Sequence, residues 1–155
     1  MQRKAIATFQ ATCLVLLTLV YAGPAYGAME MKAVSLPLPT NNKPHKISGL
    51  SYSLPERGEL TEINSIRLTL ESQEGENPVR AIWTLGGSNN LGSTQKADLF
   101  IYLLDHKGRR IAVVKKTVYF KPADNNAEFV LHMKVKSKKW QRADRVQIQV
   151  NFRVK

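Results

Sequence analysis

Ala97 to Lys121 reads ADLFIYLLDHKGRRIAVVKKTVYFK, two apolar runs rich in β-branched and aromatic residues, joined by a charged turn. The turn is Asp105-His106-Lys107-Gly108. Aspartate supplies the side-chain acceptor that a type I turn uses, and glycine tolerates the positive φ needed to reverse the chain. Strand-forming runs on either side of such a turn predict a β-hairpin at the centre of a small all-β domain.

The same period-2 signal extends outward in both directions. Upstream, Ile47 to Leu54 forms an expected first strand closed by Pro55-Glu56-Arg57-Gly58. Ile66, Leu68 and Leu70 then alternate with Arg67, Thr69 and Glu71, and Val79 to Leu85 places Ala81, Trp83 and Leu85 in register. Gly86 to Lys96 is rich in Gly, Ser and Asn and reads as a loop. Downstream, Pro122 to Asn126 reads as a turn, Phe129, Leu131, Met133 and Val135 share one face, and Ser137 to Asp144 has room for one helical turn. Val146, Ile148, Val150, Phe152 and Val154 alternate with Arg145, Gln147, Gln149, Asn151 and Arg153 in the clearest strand of all. Seven strands at short spacing predict a single seven-stranded antiparallel immunoglobulin-like β-sandwich over residues 47–155, with Trp83 at the centre of its core.

The N-terminus has a different character. Arg3 and Lys4 precede an uncharged apolar run, Ala5 to Ala22, and Ala25-Tyr26-Gly27 offers small residues for a peptidase. Residues 1–27 therefore read as a cleaved signal helix, cut near Gly27/Ala28, which predicts a periplasmic or secreted protein. A retained membrane anchor would need about 20 continuous apolar residues, and here Gln10 and threonines interrupt the run before Gly23-Pro24 ends it. The single cysteine, Cys13, leaves with the signal. Disulfides, thiolate catalysis and zinc–cysteine sites are thus excluded from the mature chain. Residues 28–46 form an expected extended lead-in, because Pro37, Pro39 and Pro44 oppose both a helix and an interior strand.

Charge narrows the choice of partner. The chain has 155 residues and a formal net charge of +11. It falls to +9 when Arg3 and Lys4 depart, which favours a soluble monomer and attracts polyanions such as anionic lipid head groups, acidic glycans or nucleic acid.

The segment Ile101-Tyr102-Leu103-Leu104-Asp105-His106-Lys107-Gly108, with the strand to Lys121, the Pro122 turn and the alternating strand from Phe129, resembles the FxLYD-type immunoglobulin-like domains of bacterial secreted and envelope proteins. The resemblance spans Asp98 to Val150. Ile101 stands where that pattern has Phe, and Leu104 where it has Tyr. It implies a fold and an extracytoplasmic setting, and it carries over no catalytic residues.

Two features exceed a plain sandwich. Leu99 to Leu104 is apolar at every position, so both faces of that strand need cover. One account roofs the outer face with the Pro-rich segment Val34 to Leu38 or with a crossing strand. The other makes Phe100 and Tyr102, or their odd-numbered neighbours, a surface for an envelope protein partner. Secondly, an up-and-down strand order gathers Lys107, Arg109, Arg110, Lys136, Lys138, Lys139, Arg142 and Arg145 at one pole, beside the acidic loop Glu71 to Pro78. That pole is either a solubilising rim or a polyanion-binding site.

Motifs for chemistry are missing. His45, His106 and His132 have no metal-ligand spacing. Gly87 to Thr94 imitates a phosphate loop without its lysine or a following helix. Glu56, Glu59 and Glu62 read as loop-solubilising carboxylates, and Asp124-Asn125-Asn126 is too sparse for calcium. Trp140 reads as a plug at one end of the sandwich. The sequence therefore predicts an exported, non-enzymatic binding or interaction module of the bacterial envelope with no cofactor, no metal and no specific nucleic acid. The alternative is recognition of an anionic envelope polymer or lipid through the basic pole.

Overall fold

The computed structural model describes residues 20–21, 29–73 and 75–153. Eight strands carry the architecture: β1 (Met29–Pro37), β2 (His45–Leu54), β3 (Glu59–Leu70), β4 (Val79–Asn89), β5 (Gln95–Leu104), β6 (Arg110–Phe120), β7 (Asp124–Val135) and β8 (Arg145–Arg153). A single helical turn, α1 (Ser137–Trp140), precedes the last strand. The strands form two antiparallel sheets, in the orders β1-β8-β5-β6 and β2-β3-β4-β7. Alternate residues of both sheets meet in one apolar core.

The eighth strand corrects the expected count of seven. Residues 29–37 of the supposed lead-in pair with β8, Val34 opposite Ile148 and Leu36 opposite Val146. The prolines permit this because Pro37 is the last residue of an outer strand, while Pro39 and Pro44 lie beyond it. A proline costs no ladder bond at such a place. Of the expected signal segment only Val20–Tyr21 is described, as a two-residue ladder against Glu30 and Met29. The rest of 1–27 lies outside the described residues. Among those described, no helix is long and apolar enough to cross a membrane.

The hairpin forms where the sequence places it. Ala97, Leu99, Ile101 and Leu103 point inward from β5, and Val146, Ile148, Val150 and Phe152 do so from β8, all fully buried. Trp83 fills the centre from the facing sheet beside Leu85, Ile63 and Ile66. Burying each such aliphatic or aromatic side chain is worth roughly 1.5–3 kcal/mol, so this alternating pattern fixes which side of every strand faces inward.

Three boundaries move. β4 continues through Gly86 to Asn89, which the composition had assigned to a loop. A bulge in β3 between Ile63 and Ser65 brings backbone against these glycines. A Cβ on Gly87 would collide with the Glu62 carbonyl oxygen and crowd Phe120 and Ile63. Gly86 and Gly87 are therefore small for the sake of a close strand approach. β7 likewise begins at Asp124, leaving Lys121 to Ala123 as the turn, with Ala123 at φ 54°. β2 begins at His45 and is interrupted between Lys46 and Leu50 by a bulge around Gly49, whose φ is 85°.

Asn89 braces the end of the sandwich opposite the hairpin turn. Its Oδ1 accepts from the Thr61 hydroxyl (2.6 Å) and the Leu91 N–H (3.1 Å). Its Nδ2 donates to the carbonyls of Ser93 (3.1 Å) and Lys121 (2.9 Å). Asn89 and Thr61 are both fully buried, so this amide satisfies four polar groups from three separate segments: β3, the β4–β5 connection and the turn after β6.

Candidate functional site

The hairpin turn is built around one carboxylate. Asp105 Oδ1 accepts the backbone N–H groups of Lys107 (2.9 Å) and Arg109 (3.0 Å), and Oδ2 accepts the Arg109 Nε–H (2.9 Å). The Gly108 N–H donates to the Asp105 carbonyl at 2.8 Å, with Gly108 at φ 74°. Arg142 then reaches in from the β7–β8 connection, its Nη2 3.4 Å from the same Oδ2. The Asp105 side chain is only 1 % exposed. The Arg109 N–H above all, with the Arg109 side chain and the Lys107 N–H, outweighs the desolvation that opposes ionisation and lowers the Asp105 pKa to about 2.

That carboxylate ties together the two basic turns. The Asp144 N–H also donates to the Leu104 carbonyl (3.0 Å), and the Leu38 N–H donates to the Asp144 carbonyl (3.0 Å). The acidic loop adjoins the same end, where the Ser137 hydroxyl donates to the Glu76 carbonyl at 2.6 Å. All three segments therefore meet at one pole. Of the eight basic candidates, Arg109 and Arg142 are committed to Asp105, although their side chains remain 61 % and 56 % exposed. Lys107, Lys136, Lys138, Lys139 and Arg145 are exposed. Lys136 gives its carbonyl to the N–H groups of Lys139 and Trp140. Trp140 is half-buried and packs against the core. It separates two shallow clefts of about 410 and 390 Å³, one beside Leu38 and Leu68 and the other beside Ser72 and Val79.

The placement of Phe100 and Tyr102 bears on the other feature, the strand that is apolar on both faces. Their odd-numbered neighbours face the core, whereas Phe100 and Tyr102 lie on the outer face of the sheet, their rings parallel and 6.0 Å apart. The Val34 to Leu38 segment does not roof them. It lies beside β8 in the same sheet, and Val34, Leu36 and Leu38 turn toward the core. The cover comes instead from cations across the hairpin. The Arg110 guanidinium sits 3.9 Å from the centre of the Tyr102 ring, and Lys115 Nζ is 5.1 Å from that of Phe100. A third pair repeats the arrangement, Lys96 over Tyr119 at 5.4 Å. Tyr102 is left 9 % exposed, so it presents almost no bare apolar surface.

Lys96 and Lys115 are absent from the candidates drawn from charge alone. The signal that finds them is register: the hairpin pairs Phe100 with Lys115 and Lys96 with Tyr119. Between them Asp98 accepts from the Thr117 hydroxyl at 2.5 Å and lies 3.4 Å from Arg153 Nη2. Burial works against its ionisation, but the Thr117 hydroxyl, the Lys115 charge and Arg153 together hold its pKa below the usual carboxylate range.

Elsewhere, His45 Nε2 is 3.1 Å from Asn41 Oδ1, and His106 and His132 are exposed on separate elements. Among the described residues no three His, Cys, Asp or Glu side chains come together as a metal cage. Glu62 belongs to β3, where its carboxylate accepts from Ser88 Oγ at 3.2 Å. A cleft of about 510 Å³ opens at the opposite end, beside Tyr52, Glu56, Arg57 and Gln95. No protein-family model matches the chain, and no curated protein matches it in sequence.

Proposed function

We propose that this chain is an exported, non-enzymatic binding module of the bacterial cell envelope, and that its ligand is anionic. The observation that carries the reading is the pairing of two basic turns through the buried carboxylate of Asp105, with cations exposed around it. Such an arrangement holds positive charge in one place without the flexibility of a basic tail. The finer assignment to the immunoglobulin-like class, of the FxLYD type, draws support from the strand that enters the Asp105 turn and from Trp83 at the core centre. The signal-like residues 1–27 support export. A bare apolar docking face for an envelope protein is less well supported, since Phe100 and Tyr102 are capped by Lys115 and Arg110.

Retention of the chain on its own envelope fraction at about 50 and 200 mM salt tests this, because binding carried by several ionic contacts weakens steeply over that range. Release by salt, and loss of retention when Lys107, Lys138 and Lys139 are all changed to Glu, are the expected results. Retention indifferent to both would overturn an anionic ligand.

A further inference from the structure

The outer face of the β1-β8-β5-β6 sheet is where the cation-covered rings of the hairpin lie. Its edge and centre carry three cations, Lys96, Lys115 and Arg110, each seated over an aromatic ring that points the same way. Cross-strand pairing across β5 and β6 puts them in a row. From the Leu104–Arg110 pair to the Gln95–Phe120 end the row extends about 30 Å at 3.3 Å per residue. A long cationic side chain normally loses rotamer entropy when it grips a ligand, and a ring beneath it removes part of that cost in advance. Asp98 is the acidic side chain within this row, and Thr117 and Arg153 already occupy it.

The next strand adds a different chemistry. Gln147, Gln149 and Asn151 stand on β8 opposite Tyr102, Phe100 and Asp98, and the Gln149 Nε2 donates to Asn151 Oδ1 at 3.0 Å. Side-chain amides both donate and accept, which suits hydroxyl groups. A flat, open row of fixed cations beside a row of amides matches a polymer that is extended, anionic and rich in hydroxyls.

We infer that this outer face holds an acidic polysaccharide, its carboxylates on Lys96, Lys115 and Arg110 and its hydroxyls on the amides of β8. The inference rests on the anionic-ligand reading above and names its ligand class and seat; the basic pole, joined to the face through Arg110, attracts the polymer. Single-stranded nucleic acid fits worse because its bases need a series of bare rings for stacking, and here Tyr102 and Phe100 lie under cations, leaving Tyr119 as the exposed ring of the row. A lipid surface fits worse because the large apolar side chains exposed on this face are scattered, Val113 and Tyr119 on β6 among the cations and Met29 on β1 at the far edge.

The test is binding of the full chain, as exported, to polygalacturonate oligomers at low salt, with neutral dextran, an oligothymidylate and phosphatidylglycerol vesicles as the comparison probes. Polygalacturonate is expected to bind best. Changing Arg110 and Lys115 together to Gln should weaken it about tenfold, the sum of two exposed ionic contacts, whereas Lys138→Gln with Lys139→Gln should cost no more than about threefold. Tyr102→Leu with Phe100→Leu keeps every charge and should weaken binding by roughly threefold by freeing the cations. Amine-reactive footprinting of the unaltered chain, which needs no variant, should show polygalacturonate shielding Lys96 and Lys115 and leaving Lys138 and Lys139 reactive. No binding of polygalacturonate by a chain that still shows salt-sensitive envelope retention would overturn this inference alone; loss of both would overturn the function proposed above as well. Tighter binding of the oligothymidylate or the vesicles, or shielding confined to Lys138 and Lys139, would also overturn it.

Discussion

Arg142 Nη2 lies 3.4 Å from Asp105 Oδ2 across 37 residues of sequence, so that a residue of the β7–β8 connection closes the β5–β6 hairpin turn. The same oxygen takes Arg109 Nη2 at 2.8 Å. One buried carboxylate therefore sets the relative position of two loops. Asp105→Asn keeps the size of the side chain, removes its charge and presents an NH2 group to donors. The variant should melt several degrees below the unaltered chain, and thermal unfolding followed by circular dichroism checks this.

The pH dependence follows in sign from the same group. The folded pKa of Asp105, about 2, is below the ordinary value of 3.8. Ionised Asp105 thus contributes stability that is fully present above pH 3.8 and is lost as the pH falls toward 2. Asp98, also lowered, acts in the same direction below its ordinary range. The melting temperature should drop between pH 4 and 2, and Asp105→Asn should flatten part of that drop.

Asn89 is expected to tolerate no apolar replacement. In Asn89→Leu the Thr61 hydroxyl, the Leu91 N–H and the carbonyls of Ser93 and Lys121 lose a common partner. Buried groups left unpaired cost about 1–3 kcal/mol each, so a loss of at least about 3 kcal/mol should appear in urea unfolding.

Gly87 and Gly92 make a matched pair. Gly87→Ala forces a Cβ against the Glu62 carbonyl, while nothing lies within 4 Å of a Cβ on Gly92. Overpacking of the first kind costs about 1–3 kcal/mol, and Gly92→Ala should unfold at the urea concentration of the unaltered chain.

Trp83 is fully buried and its Nε1 has no hydrogen-bond partner among the described residues. Trp83→Ala should cost about 3–5 kcal/mol through the cavity it leaves. Trp83→Phe should cost clearly less, since it refills much of that space and removes the unpaired N–H; the two melting curves make the comparison.

What the sequence revealed depended on whether a strand has one wet side. β7, β8 and the inward half of β5 alternate cleanly, so their faces were legible residue by residue. β1 was hidden because three prolines colour its neighbourhood, although they fall at or beyond its end. Gly86 to Asn89 and Asp124 to Asn126 have the composition of turns and the geometry of strands, because a bulge in the adjacent strand decides the first and pairing with β4 the second. The basic pole was legible from the up-and-down strand order. The cation cover of Phe100 and Tyr102 was not, since it depends on which residue lands opposite which once the hairpin closes.

Among the described residues, β6 is the outermost strand of its sheet and has a paired strand on one side of its backbone alone. Its successive residues Lys115 and Lys116 bear their charges on opposite faces, the first over Phe100 and the second donating to the Val130 carbonyl of β7 at 2.9 Å. A second copy of the chain approaching to extend the sheet would bring lysines against lysines and would have to displace the Lys116 contact. The side chains that dress the outer face thereby also keep this open backbone from templating fibres.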